Sequence, residues 1–165
     1  MSDSADATSI PSRLGSDPGS LAGKGYAASA RFSDVAIAYA ILRVSLGANI
    51  FLHGLDRFLI GHAAFLAYLN HYFEHAHLIS ASSLPAFAAV LPYLETGFGL
   101  LVILGLATRF ALIGGAFVML CLVVGTNLAQ DWIVSGLQLI YCFLYYYLLA
   151  HRDQNFLSLD RLFRR

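Results

Sequence analysis

A small set of polar side chains interrupts stretches that are otherwise almost wholly apolar, and their types and spacing define what chemistry the chain could do. Asn49 and His53 are four residues apart, and Arg57 follows one turn later, so a helix would carry all three in one stripe. An imidazole can exchange a proton near neutral pH, and a guanidinium can hold an oxyanion. Asn127 and Gln138 belong to later apolar segments that return to the same end of the chain's path. Together these groups predict a polar mouth suited to a quinone or a similar ligand: His53 and Arg57 as the reacting pair, with Asn49, His53, Asn127 and Gln138 as binding groups. The same residues also fit a plainer role, an interfacial hydrogen-bond network that closes the end of a helix bundle.

Glu95 and Arg43 pose a different question. Each lies inside an apolar run, where an ionised group must find a partner or a task. Arg43 lies ~13 Å into the first apolar segment, and Glu95 lies ~16 Å from the corresponding end of the second, at 1.5 Å rise per residue. Similar depth on antiparallel neighbours predicts an Arg43–Glu95 ion pair. Such a pair would fix helix register; alternatively it would present a charge to an anionic or quinonoid ligand.

The elements that must position these residues follow from hydropathy. The chain has 165 residues, of which 58% are hydrophobic and only 12% charged. Mean hydropathy is +0.67, and the charge content is half the roughly 25% usual in soluble domains. Four segments of about 20 residues match the hydrocarbon thickness of a bilayer: Asp34 to Leu55 with Asp34 as N-cap, Leu84 to Leu106, Phe110 to Leu128, and Trp132 to Ala150. Short connections make neighbouring spans antiparallel, so the expected fold is all-α, a transmembrane four-helix bundle over 34–151. Ala111 with Gly115, and Gly97 with Gly99, are small residues that permit close helix approach. Between spans one and two, residues 56–83 are too polar to cross. Phe65, Tyr68, Leu69, Tyr72 and Ala76 recur at helical spacing, predicting an amphipathic outer helix on the membrane surface or folded over the bundle.

Residues 1–33 hold few large apolar side chains and read as a disordered tail, and 152–165 as a basic tail returning to water. Arg13, Lys24, Arg31, Arg109, Arg152, Arg161, Arg164 and Arg165 fall at the end of the bundle that carries both termini, against Arg57 at the other. The positive-inside bias then places both termini in the cytoplasm and the histidine-rich segment outside. Zero formal net charge and the absence of a basic run argue against a nucleic-acid partner.

Other polar and aromatic residues suggest less. Cys121 and Cys142 form no C-x-x-C and read as buried core cysteines. His71 and His75 are four apart, but no thiolate accompanies them and Glu74 is expected on another face, so no metal site is assigned; no haem is assigned either. Tyr145, Tyr146 and Tyr147 read as an interfacial aromatic belt, with Trp132 at the opposite boundary.

Taken in order, LRVSLGANIFLHGLDRF, LPYLETGFGLLVILGLATRFAL, GTNLAQDWIVSGLQLIYCFLYYYLLA and NFLSLDRLF resemble the DoxX family of small bacterial membrane proteins, over residues 38 to 163. The positions that match the family's polar pattern are Arg43, His53, Gly54, Arg57, Glu95, Gly99, Arg109 and Asp160. The resemblance implies a four-helix bundle in the bacterial cytoplasmic (inner) membrane. Through the related DoxD proteins it also implies a subunit of a thiosulfate:quinone oxidoreductase-like system, with quinone entering from the bilayer and a soluble or membrane redox partner. The alternative is a non-enzymatic anchor or assembly subunit, either form compatible with a homo-oligomer. A transporter fits less well, since four spans leave little room and no broken-helix repeat is visible.

Overall fold

The computed structural model describes residues 33–163, and within them the chain is helical. The tail expected over 1–33 lies outside the described residues except for Ser33. Helix α1 runs Asp34–Ile60 and is capped not by Asp34 but by Ser33, whose Oγ accepts from the Ala36 N–H at 3.2 Å. It also runs past the expected end at Leu55: Asp56 and Arg57 are compatible with helix, and Gly61, at φ 83°, is the first residue that turns the chain away. Helix α2, His62–Tyr72, is shorter than the expected outer segment and is followed by turns to a 3₁₀ turn at Ala81–Ser83. Helices α3 (Leu84–Leu104), α4 (Thr108–Leu128) and α5 (Trp132–Ala150) complete the bundle, and a short α6 (Leu159–Phe163) ends the described chain. Helices α1, α4, α5 and the Ala81–Leu104 segment are each long and apolar enough to cross a membrane.

Helices α1 and α3 form the tightest pair, because glycines face backbone across their contact. A Cβ on Gly47 would lie 2.8 Å from Ile103 N, and one on Gly99 would lie 2.7 Å from Phe51 Cα. On Gly54 it would meet Thr96 N at 2.6 Å and the Pro92 carbonyl at 2.9 Å. These contacts set the register of the two helices. Gly97, expected to share this role, faces open space instead. In α4, Gly115 provides the seat for the ring of Tyr145, which is buried rather than part of an interfacial belt. Of its neighbours, Tyr146 is exposed and Tyr147 stacks on His151 with centroids 4.2 Å apart.

Two apolar clusters make the core. One, built on Leu46, Val102, Leu112, Tyr145 and Leu148, fills the end of the bundle that carries the termini. The other places Phe65 and Leu69 of α2 on Ala88, Leu91 and Val118, so the outer helix folds over the bundle and roofs the opposite end.

The C-terminal segment does not simply return to water. Residues 151–163 fold back across the terminal end, where the Asp160 carboxylate accepts from Ala107 N at 2.6 Å and Thr108 N at 2.7 Å. It thus caps α4, which has no side-chain cap of its own. Asn155 is buried there and its Nδ2 donates to Thr108 Oγ1 at 2.9 Å.

Packing at Gly99 yields a direct test. Gly99→Val should cost about 1–3 kcal/mol by overpacking and lower the thermal unfolding midpoint of the purified protein. Gly97→Ala, on the open face of the same helix, should change it by less than about 0.5 kcal/mol.

Candidate functional site

The register of α1 on α3 decides which groups meet. Glu95 is buried, and its partner is Arg57, whose Nη1 donates to Glu95 Oε2. The Arg43–Glu95 pair expected from depth counting does not form. Arg43 and Arg57 lie on one helix about 21 Å apart along its axis, and α1 begins well before the level at which α3 ends. The two spans do not start from a common membrane boundary, so Glu95 lies at the level of Arg57 and away from Arg43.

Arg43 has a separate set of acceptors. It is buried and donates from Nη1 to the carbonyls of Val102 and Ile103, the latter at 2.8 Å, and from Nη2 to Leu157 O at 2.7 Å. The Ile103 carbonyl belongs to the last turn of α3, which runs out of helical N–H donors, and a cation there also complements the helix dipole. Gly105 ends that helix at φ 64°, a left-handed position, and a Cβ on it would meet Arg43 Nη1 at 2.7 Å. Arg43 is thus a structural tie at the terminal end, far from the mouth at the other.

At the opposite end, a cavity of about 570 Å³ lies between the spans, beneath α2. Asn49, His53, Arg57, Glu95 and Gln138 all line it. Asn49 Oδ1 is buried without a hydrogen-bond partner among the described residues. Gln138 Oε1 accepts from Thr126 Oγ1 at 2.8 Å, which orients the side-chain amide and leaves its NH₂ group as a donor. His53 is exposed toward the opening and makes no hydrogen bond to a described residue. Arg57 is fixed on two sides, by Glu95 and by the Phe65 ring 5.1 Å from its guanidinium carbon.

Asn127, expected in the mouth, is not part of the lining. Its Nδ2 donates to Val123 O at 2.7 Å and to Ser135 Oγ at 2.8 Å, pinning α4 to α5 instead. Thr126, Phe65 and Tyr72 were not legible as site residues. Thr126 stands next to Asn127 but on the cavity side, a difference of one helical position. Tyr72 OH donates to Asp131 Oδ2 at 2.8 Å, fastening the roof helix to the turn that starts α5. Burial and this hydrogen bond push the Tyr72 hydroxyl well above the usual tyrosine range. Cys121, expected in the core, is exposed and lines the cavity, and Cys142 is half-buried. Glu74 approaches His71, with Oε2 3.5 Å from Nδ1, rather than pointing away from it. No group of three or more His, Cys, Asp or Glu side chains is placed to hold a metal among the described residues.

A comparison with family models finds a match to DoxX over residues 38–128, which takes in the first three spans and the roof. No curated protein and no solved structure matches the chain.

Two measurements probe the pairings. In a double-mutant cycle, Arg57→Met and Glu95→Gln should each destabilise the protein, by up to about 3 kcal/mol where a charge is left buried and unpaired. Together they should cost less than their sum, whereas Arg43→Met with Glu95→Gln should be additive. For the roof, Tyr72→Phe should weaken docking of His62–Tyr72 by about 1 kcal/mol, read as faster amide exchange in that helix alone. Because folding raises the tyrosine's pKa, the clasp should hold in full below about pH 10, the ordinary tyrosine value, and weaken progressively above it.

Proposed function

The chain belongs to the DoxX family of multi-pass membrane proteins, and on that premise we propose that it is the quinone-binding membrane subunit of a redox system. The observation that carries this reading is the cavity beneath α2. It is large enough for a quinone head, mostly apolar in its walls, and carries a few convergent polar groups. Much of its exposed lining belongs to α1 and α5, at His53, Asp56, Ile60, Val134 and Leu137. At the terminal end these helices are held together by Tyr39 OH donating to Leu148 O at 3.0 Å; toward the cavity, His53, Asp56, Ile60, Val134 and Leu137 are exposed. A lipid-soluble ligand would enter through that side, from the bilayer.

The polar groups suit the two carbonyl oxygens of a quinone ring. The Gln138 NH₂ donates to one. His53, as its imidazolium, donates to the other and delivers its proton there as two electrons arrive from a partner redox protein, and a second proton, taken from water at the opening, completes the quinol. Asn49 Oδ1 then accepts from a quinol hydroxyl, which would satisfy an otherwise orphaned buried acceptor. Arg57 acts through position, holding Glu95 and the roof in place rather than reaching the ligand as a free cation. The pronounced arginine excess at the end carrying Arg109, Arg152 and Arg161 supports cytoplasmic termini in a bacterial inner membrane, with the cavity toward the outer face.

The single tryptophan, Trp132, begins α5 near the cavity and supplies a readout. A short-chain quinone should quench its fluorescence saturably in nanodiscs holding the full chain. His53→Leu and Gln138→Leu should each weaken the apparent affinity about tenfold, the value of one lost hydrogen bond of roughly 1.4 kcal/mol. Quenching that rises linearly with quinone, equally in wild type and variants, would reject the site.

A further inference from the structure

Besides His53, four acidic or basic side chains line the cavity: Asp56, Arg57, Glu95 and Asp131. Their balance is uneven. The Arg57 guanidinium is paired with Glu95, so the permanent cation of the lining is already neutralised, and a proton on His53 would offset at most one of the two remaining carboxylates, Asp56 and Asp131. Asp131 accepts from Tyr72 OH through Oδ2 and from Val134 N through Oδ1 at 3.1 Å. It sits at the N-terminus of α5, whose dipole offsets part of its charge. Asp56 is exposed at the opening and has no hydrogen-bond or ion-pair partner among the described residues. The mouth therefore carries excess negative charge, while its deeper polar groups, Asn49 Oδ1 and the Gln138 NH₂, are neutral.

We propose that this cavity selects neutral or cationic amphiphiles and rejects anions, so that an inorganic oxyanion or an anionic lipid is not its ligand. An apolar wall between helices raises the cost of bringing in an anion, because the field of Asp56 and Asp131 is less screened there than in water. A free arginine would reverse this preference, and sequence spacing suggested one; the Glu95 pairing removes it. The inference deepens the quinone reading, since a quinone is neutral. An anionic reductant would have to be oxidised on the partner protein, with only electrons passed on to the neutral acceptor held here.

The test compares amphiphiles of equal chain length bearing an alcohol, a sulfate or a trimethylammonium head. Binding to the full chain in nanodiscs is measured by titration calorimetry at low salt, with protein-free nanodiscs as the blank. The alcohol and the trimethylammonium should bind at least about tenfold more tightly than the sulfate, a ratio of the size expected from one partly screened charge. Asp56→Lys should raise the sulfate-to-alcohol affinity ratio severalfold, and binding of the alcohol confirms that the variant is folded. Sulfate binding as tight as that of the alcohol in wild type, or a ratio unmoved by Asp56→Lys, would overturn the proposal. A short-chain quinone serves as the fourth ligand. If it fails to bind while the alcohol, cation and sulfate keep the expected order, the quinone reading falls and the charge selectivity stands.

Discussion

The first span carries two arginines into apolar surroundings, and its contact with α3 gives each of them acceptors. Neither charge could remain there alone, because a lone ion in hydrocarbon is among the most costly groups a helix can bury. The glycine contacts at Gly47, Gly54 and Gly99 bring the two backbones close enough to fix one register. In that register Arg57 stands opposite the carboxylate of Glu95, and Arg43 stands opposite the carbonyls at the end of α3. A shift of one turn along the contact would break both arrangements together, and would also drive glycine positions into side chains. Close packing and charge pairing therefore select the same alignment.

The cavity is a consequence of the same alignment. Because Arg57 is drawn to Glu95 and covered by Phe65, the roof helix α2 is seated on α3 and α4 through Phe65 and Leu69. Its far end is then fastened to the start of α5 by Tyr72 and Asp131. Helices α1 and α5 are joined near the termini by Tyr39 and Leu148, with the larger apolar cluster packed beside them. The space between them at the other end is what the roof covers. Its polar groups are each held by a partner in the lining: Gln138 by Thr126, Arg57 by Glu95, Asp131 by Tyr72. Such supports keep a site's geometry fixed while leaving unpaired donors and acceptors facing the ligand.

The difference between sequence and structure has a consistent physical origin. The spans were legible because hydropathy over about 20 residues is a strong signal, and α5 begins and ends where composition says it should. The stripe of Asn49, His53 and Arg57 was legible because residues four apart share a helix face. The partner of Glu95 was not legible. Depth counting assumes a common boundary for neighbouring spans, yet α1 extends to Ile60 and overlaps α3 with an offset set by glycine contacts. Asn127 and Thr126 show the same limit on a smaller scale: composition favours the amide, but the helical position puts the hydroxyl toward Gln138 and turns the amide toward Ser135.

The C-terminal segment makes the corresponding contacts at the other end of the bundle. The basic composition of residues 152–165 suggests a solvated tail, yet the carboxylate of Asp160 and the amide of Asn155 make it part of the fold. The connection between α3 and α4 is so short that α4 starts from Ala107 at φ 46°, with no residue of its own to bond its first N–H groups. In water those groups would be hydrated; beside a bilayer and under a folded-back chain they need a protein acceptor. Asp160 supplies it from 52 residues away in sequence, while Leu157 gives its carbonyl to Arg43. The segment thus answers two needs created elsewhere, the bare N-terminus of one span and the buried cation of another. Both needs arise from the short connection and the deep arginine, which is why neither is visible in the local composition of the segment that meets them.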